Sequence, residues 1–270
     1  MRKIFSFLSF LILISILMTS GAYAFDITAG ATAWHANWDS NKPMREDYEL
    51  QGARAPSFLY GPVVSLKFND DFNLTFVYLY GEFTENINCS SNSMAATTVG
   101  KAKIKRNDSD LALNYRLNNF FKIFAGVKYI NFKYSILAYT GYPELNINDD
   151  IEHSGIGPGL GLNAAFPVAE NLFLVGTFSG FYLWGNEKEN YRQVQIFPPP
   201  TVESGWSDKY KYREYGVNSN ISFAVYIPPA VAISLGYRYQ YAKAVYKDSM
   251  YNNTSKFHGL NLAATYTFSI

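Results

Sequence analysis

The chain has a single cysteine, Cys89, among its 270 residues, so no intramolecular disulfide can form. Histidine is almost as scarce, and the three histidines show no metal-ligand spacing with each other or with the cysteine. The formal net charge of +1 at pH 7 lacks the basic excess of a nucleic-acid-binding protein. We therefore predict no metal, no cofactor and no nucleic-acid partner. We interpret Cys89 as an incidental loop residue, with an intermolecular disulfide as the alternative.

A long apolar run occurs only at the start of the chain. Two basic residues, Arg2 and Lys3, precede an apolar stretch over 4–18, and small residues follow at 22–24. This order is typical of a cleavable secretory signal peptide over 1–24, and the stretch is shorter than the ~20 residues of a membrane-spanning helix. The remaining 270 − 24 = 246 residues are predicted to form one domain.

Aromatic residues are abundant instead, at 17% of the chain, with 22 Tyr and 21 Phe. Apolar and polar residues alternate in about ten segments; one of them has Leu111, Leu113 and Tyr115 on one face and Asn114 and Arg116 on the other. Alternation with period two predicts β-strands that each have one apolar and one polar face. The first and sixth segments are weakly patterned, so eight or twelve strands are the alternatives to ten.

The sixth segment contains Pro158 among three glycines, Gly157, Gly159 and Gly161. Proline has no backbone N–H to donate to a neighbouring strand, and a closed barrel has no free edge to accommodate it. We therefore predict a bulge or a late start of this strand, with the glycines facing inward and leaving room for larger side chains.

The connections between the segments are alternately short and long. Short turns are predicted at 69–71, 118–119, 167–171 and 227–230, and long loops at 37–56, 84–106, 132–154, 185–211 and 242–255. Aromatic residues on the apolar faces are predicted to form two girdles, one rich in Phe near the short turns and one rich in Tyr and Trp about ten residues away. A secreted soluble β-sandwich is the alternative, but it would have to hide all these aromatic side chains.

On these features the chain resembles bacterial outer-membrane β-barrel proteins. The resemblance implies an all-β fold, a transmembrane antiparallel up-and-down β-barrel of about ten strands over 25–270, with five long extracellular loops and both termini in the periplasm. The segment 264–270 resembles the terminal strand recognised by the barrel-assembly machinery, although it ends on Ile270 where Phe or Trp is usual. The implied partners are this machinery and the outer-membrane lipids, including lipopolysaccharide.

Ten strands in a chain of this length also resemble the omptin proteases. Those enzymes carry an acidic pair in one outer loop and an Asp-x-His-type pair beyond the seventh strand. Here the corresponding stretch over 185–191 has neither histidine nor aspartate, and the second long loop has only Glu82 and Glu85. The lipid-cleaving barrel enzymes have a Ser two residues after a His. No Ser stands at that position after His258. We therefore predict no catalytic residues, treat the histidines as polar surface residues, and keep an omptin-like hydrolase as the least favoured alternative.

Charged residues on the polar faces are predicted to line the lumen. The strand parity places these residues inside the barrel: Lys67, Asp110, Arg116, Lys122, Lys128 and Arg238. The pair Asp108 and Asp110, beside Arg106, is interpreted as an ion network in the lumen rather than as an acid–base pair. Because cations predominate, a narrow anion-preferring pore or small-solute channel is the first alternative function.

Cations on the apolar faces are predicted to form a collar above the outer girdle. The lipid-facing parity of four strands, extended past the last aromatic residue, reaches Lys101, Lys103, Lys105, Lys133, Lys209, Lys211, Arg213, Lys243 and Lys247. Lysine and arginine at this height can pair with lipopolysaccharide phosphates while their stems cover the apolar rim. A surface interaction or structural role is therefore the favoured function; solvated loop charges are the alternative interpretation of the collar.

Overall fold

A computed structural model describes residues 25–40, 56–90, 97–141, 144–197, 200–247 and 252–269; the predicted signal peptide, 1–24, lies outside these ranges. The described chain forms ten β-strands. Their bounds are β1 Asp26–Ser40, β2 Ser57–Lys67, β3 Phe72–Ser90, β4 Thr97–Arg116, β5 Phe121–Gly141, β6 Glu144–Ala169, β7 Leu172–Phe197, β8 Val202–Ile227, β9 Val231–Tyr246 and β10 Asn252–Ser269.

The ten strands form one closed barrel in which every strand pairs with its two neighbours in the chain, and β1 pairs with β10. All pairs are antiparallel, and closure is continuous from Asp26 opposite Ser269 to Ser40 opposite Ser255. Closure gives every strand a paired neighbour on each side near the end that carries the short turns; at the other end, residues 202–210 of β8 pair with β7 alone. The predicted all-β up-and-down barrel is confirmed with ten strands, and the β-sandwich alternative is wrong.

Asparagine side chains shape two of the short turns. The Asn69 amide oxygen accepts hydrogen bonds from the backbone N–H groups of Asp71 and Phe72, at 2.9 and 2.8 Å. Asn118 does the same for the backbone of residues 120 and 121. Such Asx turns bring the chain round within a few residues. Because consecutive strands are antiparallel, the short connections all lie at one end of the barrel, which is called the short-turn end below.

The strands extend well beyond the predicted boundaries. Most of the segments predicted as the loops 84–106, 132–154, 185–211 and 242–255 belong to paired strands; β6, β7 and β8 each have 26 residues. Cys89 accordingly lies in β3 rather than in a loop. The prediction of long loops was wrong because outward positions change from apolar to polar residues there, while backbone pairing continues. Residues 41–55 of the first predicted loop lie outside the described ranges.

Pro158 neither bulges nor delays β6. The register with β7 is the same on both sides of it, from Ile156 opposite Trp184 to Gly159 opposite Phe181, with two unpaired positions between. Pro158 itself faces outward and pairs in position with Val127 of β5. The prediction of a bulge or late start was therefore wrong. Pro158 has no backbone N–H, and β6 is simply left unpaired with β7 at residues 157 and 158.

The outer surface of the barrel is apolar. Large side chains such as Leu160, Ile221 and Leu235 are more than half exposed, at 65, 64 and 57%. Such a surface requires a lipid environment because a soluble domain buries side chains of this size. No helix among the described residues is long and apolar enough to span a membrane.

Candidate functional site

A layer of apolar side chains crosses the lumen. Its fifteen buried members come from nine of the ten strands: Trp34, Ala36, Trp38, Leu59, Leu79, Phe83, Ile104, Ile130, Phe132, Tyr134, Ile151, Phe181, Leu183, Ala242 and Phe257. Phe132 on β5 stacks on Phe257 on β10, with ring centroids 6.0 Å apart. β5 and β10 are opposite strands in the order of ten. The walls of the barrel therefore touch at this level, which we call the apolar layer.

Arg106 lies within the apolar layer and is completely buried. Its guanidinium donates to both carboxylate oxygens of Asp108, at 2.9 and 2.5 Å, and to the amide oxygen of Gln240 at 2.9 Å. The Phe257 ring centroid lies 3.8 Å from its guanidinium carbon. Because β4 and β9 are also opposite strands, the bond to Gln240 is a second transverse link. One buried charge thus holds two walls together.

Polar residues line the lumen between the apolar layer and the short-turn end. Lys128 donates to both oxygens of Asp110, at 2.8 and 2.9 Å. Lys67, near the mouth, forms ion pairs with Asp26 and Asp70 at 3.5 and 2.8 Å.

The other three predicted lumen cations have different surroundings. Arg116 donates to the amide oxygen of Asn119, while Arg238 lies over the Trp34 ring at 4.5 Å. Lys122 is exposed at the mouth. Within the described part of the chain, these three cations form no ion pair with a carboxylate.

A second polar cluster lies inside the barrel on the other side of the apolar layer. The ring nitrogens of His153 lie 3.0 Å from a carboxylate oxygen of Glu187 and 3.2 Å from one of Glu214. The Tyr246 hydroxyl donates to the same Glu187 oxygen at 2.7 Å. The Tyr212 ring stacks on the imidazole with centroids 3.9 Å apart. These five residues form the histidine cluster.

A glycine makes the stacking of Tyr212 possible. A Cβ atom at residue 185 would lie 2.1 Å from the Tyr212 ring. His153 is opposite Glu187 on β7, three residues beyond Trp184 of the outer aromatic girdle, so the cluster lies outside the apolar band. The prediction that all three histidines are polar surface residues was wrong for His153, which is buried.

The charge state of His153 follows from its two carboxylate partners. Burial alone would lower the pKa of this imidazole, but the hydrogen bonds to Glu187 and Glu214 outweigh burial and hold the pKa above its usual 6.5. Burial raises the pKa of Tyr212 and of Tyr246. No group of three metal-ligating side chains occurs among the residues described. The two carboxylates of the cluster therefore favour the protonated form of the His153 imidazole.

The predicted collar residues face outward, and eight of the nine are exposed while Lys243 is half-buried. Lys105 and Lys133 are directly opposite each other on β4 and β5, and Lys133 forms an ion pair with Glu152 at 3.2 Å. On the far side Lys209 is opposite Lys188 of β7. Sequence reasoning missed Lys188, although its outward parity continues that of Trp184.

Sequence reasoning also missed the histidine cluster. Glu187 was considered only as part of a stretch lacking omptin residues, and Glu214 was not singled out. Inward parity was the available signal, because residues 153, 187 and 214 all continue the lumen-facing alternation of their strands. The signal was not used because these positions were predicted to lie in loops.

The sequence matches a family model described as the Legionella pneumophila major outer membrane protein precursor over residues 22–249. A comparison with curated proteins finds no significant match.

Among solved structures, the outer membrane protease OmpT of Escherichia coli is similar with a TM-score of 0.54 and 12% identity, covering 93% of this chain and 100% of that chain. A major outer membrane protein of Thermus thermophilus is 15% identical with a TM-score of 0.35, covering 92% and 100%. At such identities the similarity to OmpT concerns the fold alone. The chain belongs to the Legionella pneumophila major outer membrane protein family and is a β-barrel protein of the bacterial outer membrane.

Proposed function

We propose that this protein is a closed, non-enzymatic surface barrel whose basic collar binds the phosphate groups of lipopolysaccharide. The contact between opposite walls carries the proposal, because a lumen crossed by Phe132 and Phe257 offers no path for a solute. The interactions of such a barrel are then made by its outer surface and its extracellular end.

The geometry of the collar supports lipopolysaccharide as the partner. Lys101, Lys103 and Lys105 are exposed on one strand, and Lys209, Lys211 and Arg213 on another. Arg213 lies opposite Trp184 of the outer girdle, and Lys105 lies four residues beyond the level of Tyr129, a height at which an apolar band of about 25 Å would end and lipid phosphates would begin. Lysine and arginine pair with phosphate through charge-assisted hydrogen bonds.

The two alternative functions have less support. An anion-preferring pore requires the apolar layer to open, whereas Arg106 fastens it through Asp108 and Gln240. A hydrolase requires a base that substrate can reach, whereas His153 is buried beneath the Tyr212 ring and bonded to two carboxylates.

Replacement of Lys105, Lys133, Arg213 and Lys243 by Gln tests the proposal. Each cation near an anionic lipid surface strengthens binding, so we expect the quadruple variant to bind lipopolysaccharide at least about tenfold more weakly than the parent protein. Binding is measured with refolded protein in non-ionic detergent. The difference between boiled and unboiled samples on a detergent gel verifies that the barrel is closed.

The control removes cations from the opposite end of the barrel. Lys67→Gln, Arg116→Gln and Lys122→Gln together remove three positive charges, against four in the collar variant, and this control should bind lipopolysaccharide as the parent does. Unchanged binding by the folded quadruple collar variant would contradict the proposal, as would an equal loss in both variants.

A further inference from the structure

The lumen contains a chamber of mixed polar and apolar lining between the apolar layer and the periplasmic mouth. Its volume is about 550 Å³, and it runs from Asn119 and Phe120 in the β4–β5 turn to Phe181 in the apolar layer. Side chains of asparagine, threonine and serine supply most of its polar lining. Because the apolar layer closes its inner end, the chamber is accessible from the periplasm alone.

The lining of the chamber has more positive than negative charge. Three cations line it, Lys122, Lys128 and Arg238, whereas Asp110 is the one carboxylate among the described residues that line it. Lys128 occupies both oxygens of Asp110. Lys122 and Arg238 are left without a carboxylate partner in the described ranges. Lys122 is exposed at the mouth, but Arg238 is half-buried, and a charge partly removed from water is costly unless an ion of opposite sign accompanies it.

Arg238 is the best-equipped of these cations to bind a ligand. Its guanidinium lies 4.5 Å from the Trp34 ring centroid and makes one long hydrogen bond, 3.5 Å, to the Asn218 amide oxygen. The buried amide oxygens of Asn220 and Asn261 have no hydrogen-bond partner among the described residues. Asn220 is directly opposite Arg238 on the neighbouring strand. The Arg238 guanidinium therefore has unused N–H donors beside asparagine amides that can turn either their oxygen or their NH2 group toward a ligand.

The mouth of the chamber is arranged to attract anions. Arg116 and Lys122 both face inward and are directly opposite each other on β4 and β5. Like charges in this relation repel, and an anion passing between them relieves the repulsion. A concave site lined by charge of one sign also raises the local concentration of the opposite ion.

We infer that the chamber binds a small, soluble oxyanion from the periplasm, with Arg238 as the principal contact and Asn220 and Asn261 completing the hydrogen bonding. A phosphate or carboxylate group fits the planar donors of the guanidinium. A soluble source is preferred to a lipid headgroup, because the chamber lies inside the closed barrel whereas lipid chains lie outside its wall.

Inorganic phosphate is the probe. Refolded protein in non-ionic detergent should bind phosphate in titration calorimetry, and Arg238→Gln should weaken binding at least about tenfold, since it removes the charge-assisted contacts. The second variant, Asn220→Asp, puts a carboxylate opposite Arg238 and should keep the barrel folded. This carboxylate should compete with phosphate for Arg238 and weaken phosphate binding about as much as Arg238→Gln does. Lys256→Gln, which removes one exposed charge on β10 outside both the chamber and the collar, is the matched control and should bind phosphate as the parent does.

Each outcome decides the inference. No phosphate binding by the parent protein, or equal binding by the parent and the two chamber variants, overturns it. Arg238→Gln could instead weaken phosphate binding only in vesicles that contain phosphatidylglycerol, and not in detergent. That result would assign the site to a lipid headgroup and overturn the soluble source. The lipopolysaccharide measurement is unaffected by any of these results, because it concerns the opposite surface.

Discussion

Single buried charges determine how the interior of this barrel is held together. Arg106 is surrounded by aromatic rings and bonded to Asp108 and Gln240. Removing one partner of a buried ion pair typically costs about 3–5 kcal/mol, because the other charge is left without compensation. The pair therefore stabilises the layer only while both members are present, and its link to Gln240 fixes two opposite strands at a defined separation.

His153 gives the extracellular half of the lumen a pH dependence. Its pKa in the folded protein is raised by Glu187 and Glu214, so its contribution to stability is fully present below the unfolded value of about 6.5 and is lost as the pH rises through the folded pKa. The other titratable neighbours, Tyr212 and Tyr246, stay neutral through this window because burial raises their pKa. We expect the free energy of unfolding to fall from pH 6 to pH 9.

Histidine-labelled protein and denaturant titrations measure this effect. The His153 imidazole signal, assigned by its loss in His153→Gln, should titrate with a midpoint above 6.5, and the fall in stability should be smaller in that variant. His258→Gln, a half-exposed residue on the outer face, should retain the full fall. A midpoint at or below the usual value would show that the carboxylates do not outweigh burial.

At the scale of strands, the alternation of side chains predicted the number of elements and their inward and outward faces. It failed at the strand ends. Apolar alternation stops where the lipid stops, whereas backbone pairing requires no particular side chain, so β6, β7 and β8 continue to Glu144, Phe197 and Val202. The same failure hid the histidine cluster, since parity was not followed into segments predicted to be loops.

Hydrogen exchange distinguishes extended strands from loops. Backbone amides over 100–106, 144–150 and 190–195 are paired with strands on both sides. We expect these amides to be protected for minutes or longer, since exchange requires local opening of the pairing. Ala230, the one non-proline residue of the β8–β9 turn over 228–230, provides the comparison. Complete exchange of the three segments within seconds would mean that they are loops after all.

At the scale of the whole molecule, the barrel is divided into two polar compartments by the apolar layer. The periplasmic compartment has an excess of cations, whereas the extracellular one contains His153 bonded to two carboxylates. Sequence reasoning could identify the lumen charges from parity, but not the layer, because the apolar residues that form it come from nine strands and meet only after closure. The width of the barrel determines which residues of opposite walls touch, and the alternation within a single strand does not predict that width.

Conductance across a planar lipid bilayer tests the closed lumen most directly. The parent protein should give no steady single-channel steps, because Trp38, Phe132 and Phe257 stack on one another across the lumen. Replacement of all three by Ala should produce small, anion-preferring steps. These steps serve as the control that the protein inserts into the bilayer. Steady conductance through the folded parent protein, comparable with that of the triple variant, would contradict a barrel closed by its own side chains.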